Sequence, residues 1–532
     1  MPALMARSKK KAGPPSAGHP PRPAAEAPRT AGTDGGKPRF RQSRPLSFYI
    51  VLAIFLASRI YVLLFAEIKG TTLEGVNVNY AFCWQVSQNQ GAGFYPPGFF
   101  ERNLGFYGVQ RKLRAASDPG HTPAEYVVEY PPLAIAWMVL PTVFLPPIQP
   151  LSPKSQMAAQ ILAARAAMAV VDVAGFLLLV WLLPIVVPPT SGRPHYEWRL
   201  LAYCAGGLFL MHILYDRLDL LVGVLILAAL GMLCRRGHYL ASFAVLAVAI
   251  NFKLTPAVLL PVWIVGALPA SSLAGRWDLS RMLRLAGKAV WRAIQLLALT
   301  IAIFLPFYWL AGRDTLEFFQ YHAARGLEIE STWATLDMLA GRVFGYATET
   351  VQNFGAHHVS SQLTPILSTL SPLTTVLLLA LAGVSLLLNV HSRLSESDHG
   401  EVAPLTAAQA APALFTAYTV LFLLLGICTS KVLSPQYFLW LVPVVPLLAP
   451  PGKTALRFMA AFLVVCLVTT AIYPYLFPME LDRRIVIDGR RVILPPTSFG
   501  FGILVLRNLF LLVFTGALWM WPWRARAANV LS

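Results

Sequence analysis

Thirteen apolar runs, near residues 47–66, 132–148, 158–187, 200–215, 218–234, 239–252, 254–270, 291–310, 365–390, 409–428, 436–450, 456–474 and 500–521, limit the fold more than any other feature. In lipid every backbone amide must be bonded within its own segment, and a helix of roughly 17–25 apolar residues does this while crossing the hydrocarbon core. The composition, 56% hydrophobic and 13% charged, carries more apolar surface than a soluble chain of this length can bury. The expected fold is therefore all-α, a polytopic transmembrane helical bundle of about twelve crossings with further helices in its extracytoplasmic loops. Thirteen crossings would leave the termini on opposite sides, so one run among the first four is expected to be re-entrant, split or merged with a neighbour.

The sidedness comes from charge. Arg193, Arg199, Arg235, Arg236, the run from Arg276 to Arg292, Arg393, Lys453, Arg457, Arg524 and Arg526 fall on one side, together with an N-terminal stretch holding ten Lys or Arg against Glu26 and Asp34. Short basic loops stay cytoplasmic. The expected organisation is a disordered basic cytoplasmic tail over 1–45, a membrane domain over 46–523 and a cytoplasmic tail over 524–532, in the cell (inner) membrane with both termini inside. The net charge of +18 is thus assigned to anionic membrane lipid and not to nucleic acid. Cys83, Cys204, Cys234, Cys428 and Cys466 have no paired or metal-ligand spacing and read as small core hydrophobes.

The opposite side then carries the long polar segments: 67–131, the first extracytoplasmic loop, then 311–364, the second, and 475–499. The first loop holds Glu74, Glu101, Asp118, Glu125 and Glu129, and ends in Glu129-Tyr130-Pro131-Pro132-Leu133. Prolines suit the first turn of a helix, where a missing N–H is harmless. Glu129 reads either as a carboxylate favouring the helix dipole or as a general base or acceptor-binding group. In Asp216-Arg217-Leu218-Asp219 two carboxylates flank a cation at membrane depth, as an ion pair or a ligand site. Lys253, in Asn251-Phe252-Lys253-Leu254-Thr255-Pro256, has no acid beside it in sequence and invites an anion such as phosphate.

His322, Arg325, Glu328 and Glu330 fall within a few helical turns of one another: either a solvated charged face or a phosphate site in which Arg325 supplies a rigid fork of donors. Lys431, followed by Ser434, Gln436 and Tyr437, either snorkels or faces a ligand. Cations and carboxylates meeting at one membrane surface suit a lipid-linked phosphate donor and a hydroxyl acceptor. The sequence contains no phosphate-cradling Gly-rich loop, paired-histidine zinc motif or nucleophile elbow.

On Glu129 to Leu133, Arg217-Leu218-Asp219-Leu220-Leu221, Lys253 to Pro256, His322 with Arg325 to Ser331, and Lys431 to Trp440, the chain resembles the GT-C superfamily of membrane glycosyltransferases. Within it, the likeness is to family 87, the polyprenyl-phosphate-sugar-dependent mannosyltransferases and their bacterial relatives. The last block also resembles the motif of the first mannosyltransferase of GPI-anchor assembly. The similarity spans roughly residues 47–521 and rests on the shared order of the motifs. It implies a GT-C fold with an extracytoplasmic active site, where a mannose-like or other sugar passes with inversion from a polyprenyl-phosphate donor to a lipid or glycan acceptor. No metal or other cofactor is required. Glu129 and Glu74 would be the catalytic carboxylates and Lys253, His322, Arg325 and Lys431 the phosphate cluster; Arg217, Asp219, Glu330, Gln436 and Tyr437 would contact substrate.

The chain departs from the family where relatives place an Asp ahead of a Val and a Tyr. It reads Thr72-Leu73-Glu74-Gly75-Val76-Asn77-Val78-Asn79-Tyr80, with no Asp between Glu67 and Ser117. Either Glu74 substitutes, or Glu129 takes the role, or activity is lost. Two rivals stand beside the transferase: an inactive relative, and a transporter or flippase. The latter would put its charges near the bilayer midplane and show internal repeats, and no repeat is visible here.

Overall fold

The computed structural model describes residues 46–65, 80, 83–88, 105–117, 128–145, 154–187, 196–235, 238–354, 356–396, 405–450, 453–481, 483–487 and 490–531. The expected tail over 1–45 and much of the first long loop, Glu74, Glu101, Asp118 and Glu125 included, lie outside the described residues. The described α-helices of seven or more residues are α1 Leu46–Phe65, α2 Phe106–Ser117, α3 Pro132–Val139, α4 Lys154–Val186, α5 Glu197–Phe209, α6 Asp219–Leu233, α7 Tyr239–Phe252 and α8 Leu260–Gly266. There follow α9 Leu279–Ala311, α10 Glu317–Ala324, α11 Thr332–Phe344, α12 Thr364–Glu396, α13 Pro412–Thr429, α14 Thr454–Thr470 and α15 Ser498–Leu531.

Among the described residues, seven helical stretches are long and apolar enough to cross a membrane: 46–65, 159–186, 279–324, 364–395, 412–429, 454–481 and 498–521. Burial ranks them. In α13, 89% of the apolar window is enclosed by protein, whereas α9 encloses 6% and leaves its apolar side chains facing outward. The first is the hub of the bundle, packed by α12 and α15; the second lies at its rim.

Six expected crossings are shorter than a bilayer needs: 132–143, 197–209, 219–233, 239–252, 255–266 and 435–447. The run expected at 436–450 is not an α-helix. Pro435, Pro443 and Pro446 leave only the 3₁₀ turns Pro435–Trp440 and Val445–Leu447, since proline lacks an N–H and clashes with the preceding turn. Irregular backbone is tolerated in an apolar layer only where protein covers it, and Phe438 to Val442 are all buried. α6 comes against this turn so closely that a Cβ at Gly223 would sit 2.6 Å from the Leu439 carbonyl oxygen. That contact sets Tyr437 and Trp440 beside the start of α6.

The region expected to hold only loop helices also contains strands: β1 Leu327–Glu328, β2 Glu349–Asn353 and β3 Ala356–Ser360 form an antiparallel sheet in the order β1-β3-β2, with Glu328 opposite His358. A second hairpin pairs β4 Arg483–Ile487 with β5 Arg490–Leu494. The sheet and α11 share a small core with α15, through Leu327, Ile329, Met338, Val359 and Leu504. α15 itself runs on to Leu531, through residues expected as a C-terminal tail.

A candidate ionic site at the helix ends

Glu129 lies in the non-helical stretch ahead of α3, whose first helical residue is Pro132. The Val128 N–H donates to the Glu317 carboxylate at 3.1 Å, and Arg111 of α2 binds both Glu317 and, at 2.8 Å, Asp314. This tether ties the end of the first loop to the start of α10. On α10, the Tyr321 hydroxyl has two acceptors, Glu129 Oε2 at 2.9 Å and the Phe354 carbonyl at 2.6 Å. Phe354 supplies that carbonyl from a left-handed turn, φ 49°, between β2 and β3. The ring of His322 lies beside the Glu129 backbone.

Arg217, Lys253 and Arg325, distant from one another in sequence, all lie near enough to Glu129 to feel its charge, although Tyr130 weighs more on Arg217, Asp219 on Lys253 and Glu328 on Arg325. Each has a distinct anchor. Lys253, expected to be without a neighbouring acid, instead pairs with Asp219 at 2.6 Å; the two lie at the end of α7 and the start of α6, so the turn between the helices brings together residues far apart in sequence. Asp219 also sits in the first turn of α6, where the helix dipole favours an anion. Nζ of Lys253 stands 5.4 and 5.6 Å from the ring centres of Tyr437 and Trp440, which stack on each other 4.5 Å apart. Arg217 lies near the Tyr130 hydroxyl. Asp216, its other neighbour, turns away to Arg165 at 2.9 Å.

Arg325 caps the other edge. Its guanidinium lies 5.6 Å from the Tyr321 ring centre and 3.7 Å from the Glu328 carboxylate, beyond hydrogen-bond reach. Glu328 donates its N–H to the Lys431 carbonyl at 2.9 Å, and Lys431 Nζ donates to the Ala323 carbonyl at the end of α10, at 2.8 Å. Burial raises the Glu328 carboxyl above its ordinary range, with Arg325 and Arg507 opposing; burial, with Arg325 nearby, lowers the Lys431 ammonium.

Several buried polar atoms at this place have no hydrogen-bond partner: Nε of Arg325, Oε2 of Glu328, Oε1 of Gln436 and Nε1 of Trp440. An unpaired buried polar atom costs about 1–3 kcal/mol, so four together mark a place built for something polar. Among the described residues no group of three or more His, Cys, Asp or Glu comes together to hold a metal.

No protein family, curated protein or solved structure matches the chain.

Glu129, Arg217, Asp219, Lys253, His322, Arg325, Lys431 and Tyr437, all singled out in the sequence, belong to one connected cluster. Glu330 stands apart. Its carboxylate binds Arg507 of α15 at 2.8 Å, and its carbonyl accepts from Arg507 and from Asn508, so it fastens the 325–331 segment to the bundle. Tyr130, Tyr321 and Trp440 complete the cluster without having been assigned a role from the sequence, Tyr130 and Trp440 standing only as members of motifs; the spacing of Tyr321 and Arg325 by about one helical turn is the available signal.

Proposed function

We propose that the chain is a membrane glycosyltransferase of the GT-C type, close to family 87, moving a sugar with inversion from a polyprenyl-phosphate donor to a lipid or glycan hydroxyl. The observation that carries this is one carboxylate, Glu129, within electrostatic reach of Arg217, Lys253 and Arg325 and beside buried donors with nothing to bind. In this reading the acceptor hydroxyl gives its proton to Glu129 while its oxygen bonds to the anomeric carbon, and the bond from that carbon to the donor phosphate breaks. The electron pair leaves on the phosphate, whose charge the cations stabilise without any further group. Arg325, with its open Nε, is the first ligand for the phosphate; Lys253 and Lys431 have to be drawn from Asp219 and from the end of α10. Tyr437 and Trp440 offer an apolar wall to sugar or prenyl chain.

The reading takes the short apolar helices, together with the seven long ones, as a bundle of about twelve crossings with its basic loops and both termini on the cytoplasmic side of the inner membrane. One observation favours the inactive relative: Glu129 already accepts from Tyr321. The deciding experiment gives the purified protein in lipid vesicles labelled polyprenyl-phosphate mannose, arabinose or glucose with a membrane lipid extract as acceptor. Labelled product from one donor is the expected result. Donor bound but never turned over would sink the transferase and leave the inactive relative.

A further inference from the structure

At the other end of α9 from the ionic cluster lies a surface cleft of about 450 Å³, lined by Pro269, Arg284, Gly287, Lys288, Trp291 and Arg292. α9 is a helix of 33 residues, roughly 50 Å long at 1.5 Å per residue, whereas hydrocarbon is about 30 Å thick. From Ala293 to Ala311 it carries no charge, which is enough to span; the turns before Arg292 therefore project into the headgroup layer. Those turns are amphipathic. Leu285 and Ala289 are half-buried against the bundle, while Leu283, Val290, Trp291 and Ile294 are exposed.

The cleft's cations differ in how they are held. Arg292 is fixed, donating to the Tyr239 hydroxyl at 2.7 Å and to Gln295 at 2.9 Å. Lys288 donates only to the Ser272 hydroxyl, at 2.8 Å. Arg284 makes no hydrogen bond or ion pair among the described residues, and no carboxylate lines the cleft. A Cβ on Gly287 would meet nothing within 4 Å, so the cleft floor is open. Arg284, Lys288 and Arg292 succeed one another at four-residue spacing and therefore form one stripe.

We propose that this cleft holds the headgroup of an anionic phospholipid, its phosphodiester on Arg284 and Lys288 and its acyl chains along Trp291, Ile294 and the outward face of α9. The charge complementarity, the interfacial tryptophan and the junction with the uncharged span all fit that occupant. A soluble anion would use the cations but not the apolar wall that continues into the bilayer. The proposal needs α9 to cross a membrane and is independent of the transferase reading.

The test is native mass spectrometry of the delipidated full chain, titrated with phosphatidylglycerol, phosphatidylcholine or inorganic phosphate. Phosphatidylglycerol should bind well ahead of phosphatidylcholine. The double variant Arg284→Ala/Lys288→Ala should weaken it roughly thirtyfold, each cation near the surface contributing a factor of about five. Gly287→Leu, which fills the floor and leaves the charges, should weaken it as well. Equal binding of the two lipids, or retention of phosphatidylglycerol by both variants, overturns the proposal. Inorganic phosphate binding as tightly as the lipid would also overturn it, in favour of a free anion.

Discussion

Asp172, wholly buried, and Glu328, partly buried, are carboxylates that each face an arginine, and they are served very differently. Around Asp172, Arg59 Nε donates at 2.8 Å, the Tyr203 hydroxyl at 2.6 Å and the Tyr215 hydroxyl at 2.8 Å, while Arg59 spends a second nitrogen on the Cys204 carbonyl at 2.9 Å. Both oxygens are filled, and α1, α4 and α5 are joined at one point. Glu328 has its arginine at 3.7 Å and an oxygen with no partner. A complete network rigidifies; an incomplete one in the same chain has capacity left for a guest. The contrast separates ionic groups that hold the bundle together from those available to a substrate, which charge and burial alone do not.

Substitutions can break that contrast. The largest effect expected is on turnover: Glu129→Gln should lower transfer by about 10²–10⁴-fold, the usual worth of a general base, while donor binding, read by equilibrium titration, stays within a few-fold. Equal loss of both would make Glu129 a binding group only. Next, Asp172→Ala should cost about 3–5 kcal/mol of stability, because it strands the Arg59 charge in the interior; a thermal melt in detergent reads this. If the melt does not move, the full network is not what joins those helices. Glu328→Gln should leave the melt nearly unchanged and shift donor affinity by about tenfold, or about 1.4 kcal/mol. A melt that falls as far as that of Asp172→Ala would erase the distinction.

The smallest effect is on pH. His358, opposite Glu328 on the sheet, is held neutral by burial and by Arg325, its pKa lowered from 6.5 to about 4. A depressed pKa means that the unfolded chain takes up the proton first, so the stability it contributes is complete above pH 6.5 and is lost as pH falls toward 4. The melting temperature should decline over that window, and His358→Gln should flatten the decline. An unchanged slope would show that the imidazole does not titrate there.

Much of the fold could be read directly from the sequence, because lipid permits few solutions for a long apolar run. The exceptions have local causes. The prolines from Pro435 to Pro446 were visible, but an apolar run of that length also reads as a crossing unless it is known to be enclosed by protein. The hairpin at 349–360 turns on Phe354 in place of the Asn-Gly or Asp-Gly pair that announces such turns. In the site, the residue types were legible and the pairings were not. Lys253 and Asp219 meet only because α6 and α7 pack side by side, and Glu328 and Glu330, two residues apart, part company because one faces Arg325 and the other Arg507. Spacing within a motif says nothing about a partner from the far end of the chain.

The Tyr321 hydroxyl has a single proton and two oxygens within reach, one on Glu129 and one on the backbone at Phe354. A small rotation about its C–O bond therefore trades one bond for another and leaves no dry, unanswered donor behind. Glu129 can thus be unmasked without stranding a buried donor, and masked again once its visitor has gone. The resting carboxylate is in this sense stoppered, with the stopper given a second place to rest.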